Sequence, residues 1–143
     1  MSGDQLTVGE LAQRAGVATS ALRYWEDLGL LPPPVRVSGQ RRYPPSAIGL
    51  VGEILLLQDA GYTLREIEAL TTAWRAGGAW RELARRKLAE LDERIARSQA
   101  ARTAIAHSLA CPHDDIRECP NFTRMIAARL AGASLEEAHT HPR

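Results

Sequence analysis

Two cysteines, Cys111 and Cys119, stand with seven residues between them, and each is followed by a proline. That arrangement suits a short loop whose ends fold together. Thiolates are soft ligands that suit Cu(I), and two of them suffice for linear coordination. His113 lies inside the loop and His107 just before it; imidazole added to the thiolates gives a Cys/His set suited to Zn(II). The same pair can instead work as a reversible thiol–disulfide switch, or be two packed thiols without chemistry. Asp114, Asp115 and Glu118 read as the solvated face of the loop. A second cluster is basic. Arg36, Arg41 and Arg42 surround the turn signal Ser38-Gly39, with Gln40 among them and Tyr43 closing the run. Guanidinium groups match phosphate in charge and in fork geometry, so this cluster suits a nucleic-acid backbone.

The elements that must position these groups are mostly helical. Thr7 stands three residues before Glu10, the spacing of a capping box, and Val8, Leu11, Ala12 and Ala15 repeat at helical intervals up to Gly16. A second helix is predicted to start at Thr19 and Ser20, with Ala21, Leu22, Trp25 and Leu28 on one face and Gly29 at its end. Ser20, Arg23 and Tyr24 lie near the start of that helix, and the pair reads as a helix-turn-helix. Pro32, Pro33 and Pro34 forbid further helix, so Arg36 to Tyr43 read as a β-hairpin wing. Ile48, Val51, Ile54, Leu55 and Leu56 predict a third helix, closed by Gly61. Thr63 and Glu66 predict a second capping box and a short fourth helix through Ile67 and Leu70. Trp25 reads as core, and Trp74 and Trp80 as packing beside a hinge at Ala76-Gly77-Gly78.

Residues 79–109 contain neither proline nor glycine, which predicts one helix about 45 Å long. Leu88, Leu91, Ile95, Ser98, Arg102, Ile105 and Leu109 alternate three and four apart, the signature of a coiled-coil seam. Such a stripe cannot be buried by one helix, and no second helix of matching length remains in the chain. A homodimer is therefore predicted. Phe122, Ile126 and Leu130 predict a further helix, expected to relay the state of the loop, and His139-Thr140-His141 reads as a polar, unstructured tail. The expected divisions are a DNA-binding domain over 6–75, a dimerisation helix over 79–109, a sensor loop over 110–122 and a helix with tail over 123–143.

Composition narrows the classes. A chain of 143 residues with 45% hydrophobic and 5% aromatic side chains suits one small domain plus a long helix. The formal net charge is only +1, so nucleic-acid binding rests on where the arginines cluster. No stretch is apolar enough for a membrane span and the N-terminus has no secretory pattern, which predicts a cytoplasmic protein without a membrane partner. There is no glycine-rich phosphate loop, nucleophile elbow or His-Glu-x-x-His pattern, and an enzyme is not expected.

These motifs together resemble the MerR family of bacterial transcription regulators. The likeness is carried by LTVGELAQRAGV, ALRYWEDLGLL and the QRRY of Gln40–Tyr43, and it spans about Leu6 to Phe122. It implies a mainly α protein: a winged helix-turn-helix, a long dimerisation helix forming an antiparallel coiled coil in the homodimer, and a short sensor loop. It also implies Thr19, Ser20, Arg23, Tyr24, Arg36, Gln40, Arg41, Arg42 and Tyr43 as DNA contacts, with Tyr62, Thr63 and Arg65 forming a second wing-like contact. The implied partners are a pseudo-palindromic promoter in double-stranded DNA and RNA polymerase bound there, the dimer distorting an overlong promoter spacer when it receives its signal.

The opening resembles the SoxR branch, through LTVGELAQRAGVATSAL and SGQRRY, and that branch implies a [2Fe–2S] cluster on four cysteines. This chain departs from it, because His113 and Ser108 stand where the other two cysteines fall. The Cys111/Cys119 spacing resembles instead the copper-sensing branch, which implies Cu(I) held by both thiolates. The divalent sensors carry a further cysteine near the start of the dimerisation helix, and Gly77-Gly78-Ala79-Trp80 stand there here. With His113 as third ligand the ion implied is Zn(II). A regulator triggered by a redox or thiol switch, and an architectural DNA binder without effector, are the alternatives.

Overall fold

The computed structural model describes residues 5–139. Its elements run β1 (Leu6–Thr7), α1 (Val8–Ala15), α2 (Thr19–Asp27), β2 (Val35–Val37), β3 (Gln40–Tyr43), α3 (Ala47–Asp59), α4 (Leu64–Arg75), α5 (Trp80–Ser108), a 3-10 turn (Ile116–Glu118), α6 (Pro120–Leu130) and α7 (Leu135–His139). The fold is mainly helical, as the periodicity predicts. Among the described residues no helix is long and apolar enough to cross a membrane.

Local chemistry sets most of the boundaries. Thr7 Oγ1 accepts from the Glu10 amide at 3.1 Å while Glu10 accepts from the Thr7 amide, so two orphan N–H groups are satisfied at the start of α1. The same reciprocal pair, Thr63 and Glu66, opens α4. Helix α2 starts at Thr19, as the sequence predicts. Ala18 is the cap and supplies no side-chain bond, so Thr19 and Ser20 occupy the first helical positions with exposed side chains. Helix α2 ends at Gly29 (φ 78°), where the Gly29 and Leu30 amides donate back to Glu26 and Trp25, a left-handed closure that glycine adopts without penalty.

Ser38 and Gly39 both have positive φ, 51° and 79°, which gives the β2–β3 hairpin a twist matching its strands. The wing has a third member that the sequence does not announce. β1 pairs antiparallel with β3, Leu6 opposite Tyr43 and Thr7 opposite Arg42, so the sheet order is β1-β3-β2. A two-residue strand has no periodicity to read.

The chain divides into two compact units between Lys87 and Leu88. In the first, Leu11, Leu22, Trp25, Tyr43, Val51, Ile54 and Ile67 pack into one core that joins the helix-turn-helix, the sheet and α3–α4. This unit runs past Gly77-Gly78 into α5, so that turn lies inside it and not at the division. Trp25 is core as expected, whereas Trp74 is exposed and Trp80 stacks under the Arg81 guanidinium.

In the second unit, α6 covers the helix expected through Phe122, Ile126 and Leu130 and begins with Pro120 in its first turn. The unstructured tail expected at His139 is corrected. Ser134 and Glu137 form a third reciprocal cap, and α7 follows through His139. His141 lies outside the described residues.

Candidate functional site

The arginine cluster is assembled from three elements. Arg23 of α2, Arg36 and Gln40 of the wing, and Arg41 line one concavity of about 560 Å³ with Thr7 and Val8. Arg23, Tyr24, Arg36 and Gln40 are exposed, and Arg42 is half-buried with its guanidinium donating to Gln40 Oε1 at 3.3 Å. Strand pairing places Arg36 opposite Arg41. Three guanidinium groups on one concavity make a positive surface that the net charge conceals.

Two members of the expected contact set have other work. Tyr43 is fully buried, and its hydroxyl donates to Glu26 Oε2 at 2.8 Å. Burial first, and then that bond to a carboxylate, push its pKa up to about 12. A phenol sealed in the core cannot reach a phosphate, so Tyr43 leaves the list of DNA contacts. Arg41 is half-buried, with its Nε 3.8 Å from the same Glu26 carboxylate and without a hydrogen-bond partner. Glu26, which sequence reasoning missed, thus ties the wing to α2 through two side chains. Nothing local could have flagged it, since its partners lie more than a dozen residues downstream.

The turn between α3 and α4 carries the other expected contacts. Arg65 and Thr63 are exposed there, Thr63 with its hydroxyl used as the α4 cap, and Tyr62 is half-buried. Lys87 packs against this turn, another residue that motif reading passes over.

The cysteines lie in the second unit. Cys111 follows α5 and Cys119 caps α6, and both are thiols, partly exposed. The 3-10 turn between them is held by Asp115, which caps the Arg117 amide at 3.0 Å and takes its guanidinium at 2.8 and 2.9 Å. This closes the loop, and both cysteines lie on the wall of one cavity. The Phe122 amide, then the Asn121 amide and the Cys111 thiol, hold the Cys119 pKa below the ordinary thiol value, with burial acting against them. Both cysteines line a cavity of about 450 Å³ with Ile105, His107, Phe122, Met125 and His139.

His113 is not part of this arrangement. It is exposed and absent from the cavity wall, and among the described residues no three His, Cys, Asp or Glu side chains converge as a metal site. The expected third ligand is therefore corrected. His107 pairs instead with His139, Nδ1 to Nε2 at 3.0 Å. Ser108, the position that the cluster-bearing branch fills with cysteine, donates to the Ile105 carbonyl.

A helix-turn-helix buttressed by a three-stranded wing, followed by a long helix and a thiol loop, defines a winged-helix DNA-binding transcription regulator. Sequence comparison agrees over nearly the whole described length. Residues 6–74 match the MerR HTH family regulatory protein model and residues 51–108 the MerR DNA-binding model. The regulator HmrR of Sinorhizobium medicae is 30% identical over 138 residues, covering 92% of each chain. Heavy metal-dependent transcription regulator 2 of Rhizobium meliloti is 28% identical over 121 residues, 80% of this chain and 82% of that one. The fold is similar to that of HiNmlR, a MerR family regulator lacking the sensor domain and bound to promoter DNA, with a TM-score of 0.53, 18% identity, and 92% and 98% of the two chains covered. The chain belongs to the MerR family and is a DNA-binding transcription regulator, in a family of regulators and not of enzymes.

Proposed function

We propose that this regulator acts as a homodimer on a pseudo-palindromic promoter and responds to a soft monovalent metal ion, Cu(I) in the first instance, held between Cys111 and Cys119. The observation that carries this reading is the donor set. Two thiols on the wall of one cavity, with no group of three Cys, His, Asp or Glu side chains placed to hold a metal among the described residues, fit a two-coordinate soft ion. They do not fit Zn(II), which takes four ligands in structural sites, nor a [2Fe–2S] cluster, which takes four thiolates. Bound there, the ion would supply a covalent tie between the end of α5 and the start of α6. The name of the heavy metal-dependent relative supports the metal reading.

Dimerisation is supported by the outer stripe of α5. Leu88, Ile95 and Ile105 are each more than 60% exposed, a row of apolar side chains that a copy of the same helix would cover. On DNA, α2 would enter the major groove with Thr19, Ser20, Arg23 and Tyr24, while Arg36, Gln40 and Arg42 on one side and Thr63 and Arg65 on the other grip phosphates and fix register. Arg41 contributes charge from its place beside Glu26. The dimer then distorts the promoter for RNA polymerase, at a deformation cost on the order of a few kcal/mol.

A thiol–disulfide switch is the second reading, favoured by the placement of both cysteines on one cavity wall and the lowered pKa of Cys119. Transcription in vitro from the cognate promoter separates the two. Stimulation by Cu(I) under strictly reducing, anaerobic conditions, lost in Cys111→Ser and Cys119→Ser, supports the metal reading. Stimulation by hydrogen peroxide in the presence of a copper chelator, with no response to Cu(I), contradicts it in favour of the switch.

A further inference from the structure

Lys87 is the only lysine of the chain and, among the described residues, the only buried charged side chain, 4% exposed. It sits two turns into α5, yet it reaches the turn between α3 and α4 and the first turn of α4. The ammonium donates to the Gly61 carbonyl at 3.1 Å and to Glu66 Oε1 at 3.0 Å, and lies 5.5 Å from the centre of the Tyr62 ring. Glu66 Oε1 also accepts from the Thr63 amide at 2.9 Å, so one carboxylate oxygen joins the α4 cap to α5. That oxygen sits well in the role. The Thr63 amide first, and the Lys87 ammonium after it, hold the Glu66 carboxyl below the usual carboxylate range against the effect of burial.

Burying an ammonium is costly even when it is fully hydrogen-bonded, and an apolar side chain of the same volume is often the better stabiliser. The residue type is also selective. Every other basic side chain here is arginine, whose flat fork suits surface phosphates. A carbonyl, a carboxylate and an aromatic face arranged around one point suit a compact ammonium with three donors. The arrangement specifies where the turn sits more than it adds stability.

We propose that Lys87 is a positioning residue of the DNA interface: it registers the Gly61–Arg65 turn against α5, so that Thr63 and Arg65 reach DNA phosphates only while α5 is in place. This rests on the reading above that the turn faces DNA.

The test uses the full-length protein and a duplex that the wild-type protein has selected from a random library. Phosphate-ethylation interference maps the backbone contacts of wild type, Arg65→Ala, Arg36→Ala and Lys87→Met, and melting followed by circular dichroism confirms that each variant is folded. Arg65→Ala and Arg36→Ala are expected to lose separate subsets of phosphates. Lys87→Met, which touches no DNA, is expected to lose the Arg65 subset and keep the Arg36 subset, with affinity down roughly 10-fold and the salt slope reduced by about one. A global loss of stability would weaken both subsets together and would overturn the proposal. So would a Lys87→Met map identical to wild type. If Arg65→Ala itself loses no phosphate, the reading of the turn as a DNA contact fails and this inference falls with it. Should Lys87→Met not fold, Glu66→Gln keeps an acceptor for the Thr63 amide while removing the charge that Lys87 meets; partial loss confined to the Arg65 subset supports the proposal, and an unchanged map overturns it.

Discussion

The two units of this chain solve the problem of burial in opposite ways. Up to Lys87, short helices and a small sheet enclose a continuous core with Leu11, Leu22, Tyr43, Val51 and Ile67 fully buried. Beyond it, among the described residues, only Ala138 is buried, while Ile95, Ile105 and Leu109 stand exposed. The first unit carries a core of its own. The second has a thiol loop and an uncovered apolar stripe.

Substitutions should separate the two regimes. The largest expected effect is in the first core: Leu22→Ala removes a fully buried side chain and should cost about 3–5 kcal/mol. Chemical denaturation would show it, with DNA binding lost as the unit melts. Ile95→Asp should leave that transition in place and weaken the dimer roughly 100-fold or more, because it sets an unpaired charge in the helix seam. Analytical ultracentrifugation reads this directly, and an unchanged dimer would mean that the exposed stripe is not the interface. Tyr43→Phe should cost about 1–2 kcal/mol by removing the buried bond to Glu26. Its pH signature is sharper. The folded pKa of Tyr43 lies above its ordinary value of 10.0, at about 12, so the neutral phenol's contribution is complete below pH 10 and disappears as pH rises toward 12. Wild type should lose stability across that alkaline window, and Tyr43→Phe should lose less. The smallest effects belong to the wing surface. Arg36→Ala and Arg42→Ala should weaken binding to all sequences and lower the salt slope by about one each. Arg41→Ala should lower it less, since Glu26 already faces that guanidinium.

What the sequence made legible follows the same division. Capping boxes, glycine stops and the Ser38-Gly39 turn are local signals, and α1, α4 and the hairpin lie where those signals put them. The missing parts are long-range. β1 pairs with a strand more than thirty residues away, Glu26 meets Tyr43 across the fold, and Lys87 reaches back 26 residues to Gly61. None of these contacts leaves a periodicity. Tyr43 was misread because a tyrosine ending an arginine run looks like part of a phosphate grip, whereas strand alternation and the pairing with Leu6 turn it inward. At the thiol loop, the spacing marked Cys111 and Cys119 but could not say which way His113 points. The Asp115–Arg117 pair that holds the turn also reads in sequence as ordinary solvated charge. The helix α7 did carry a local signal, the Ser134 and Glu137 cap, set in a stretch whose polar composition argues for a loose tail.

The two-thiol site is tested most directly by anaerobic Cu(I) titration against a competing chelator. Wild type, Cys111→Ser/Cys119→Ser and His113→Ala should be compared as reduced, full-length proteins. One Cu(I) per chain is expected in wild type and in His113→Ala, and none in the double cysteine variant. Loss of binding in His113→Ala, uptake that survives without the cysteines, or visible iron–sulfur bands in the protein as purified would contradict a site built from two thiols alone.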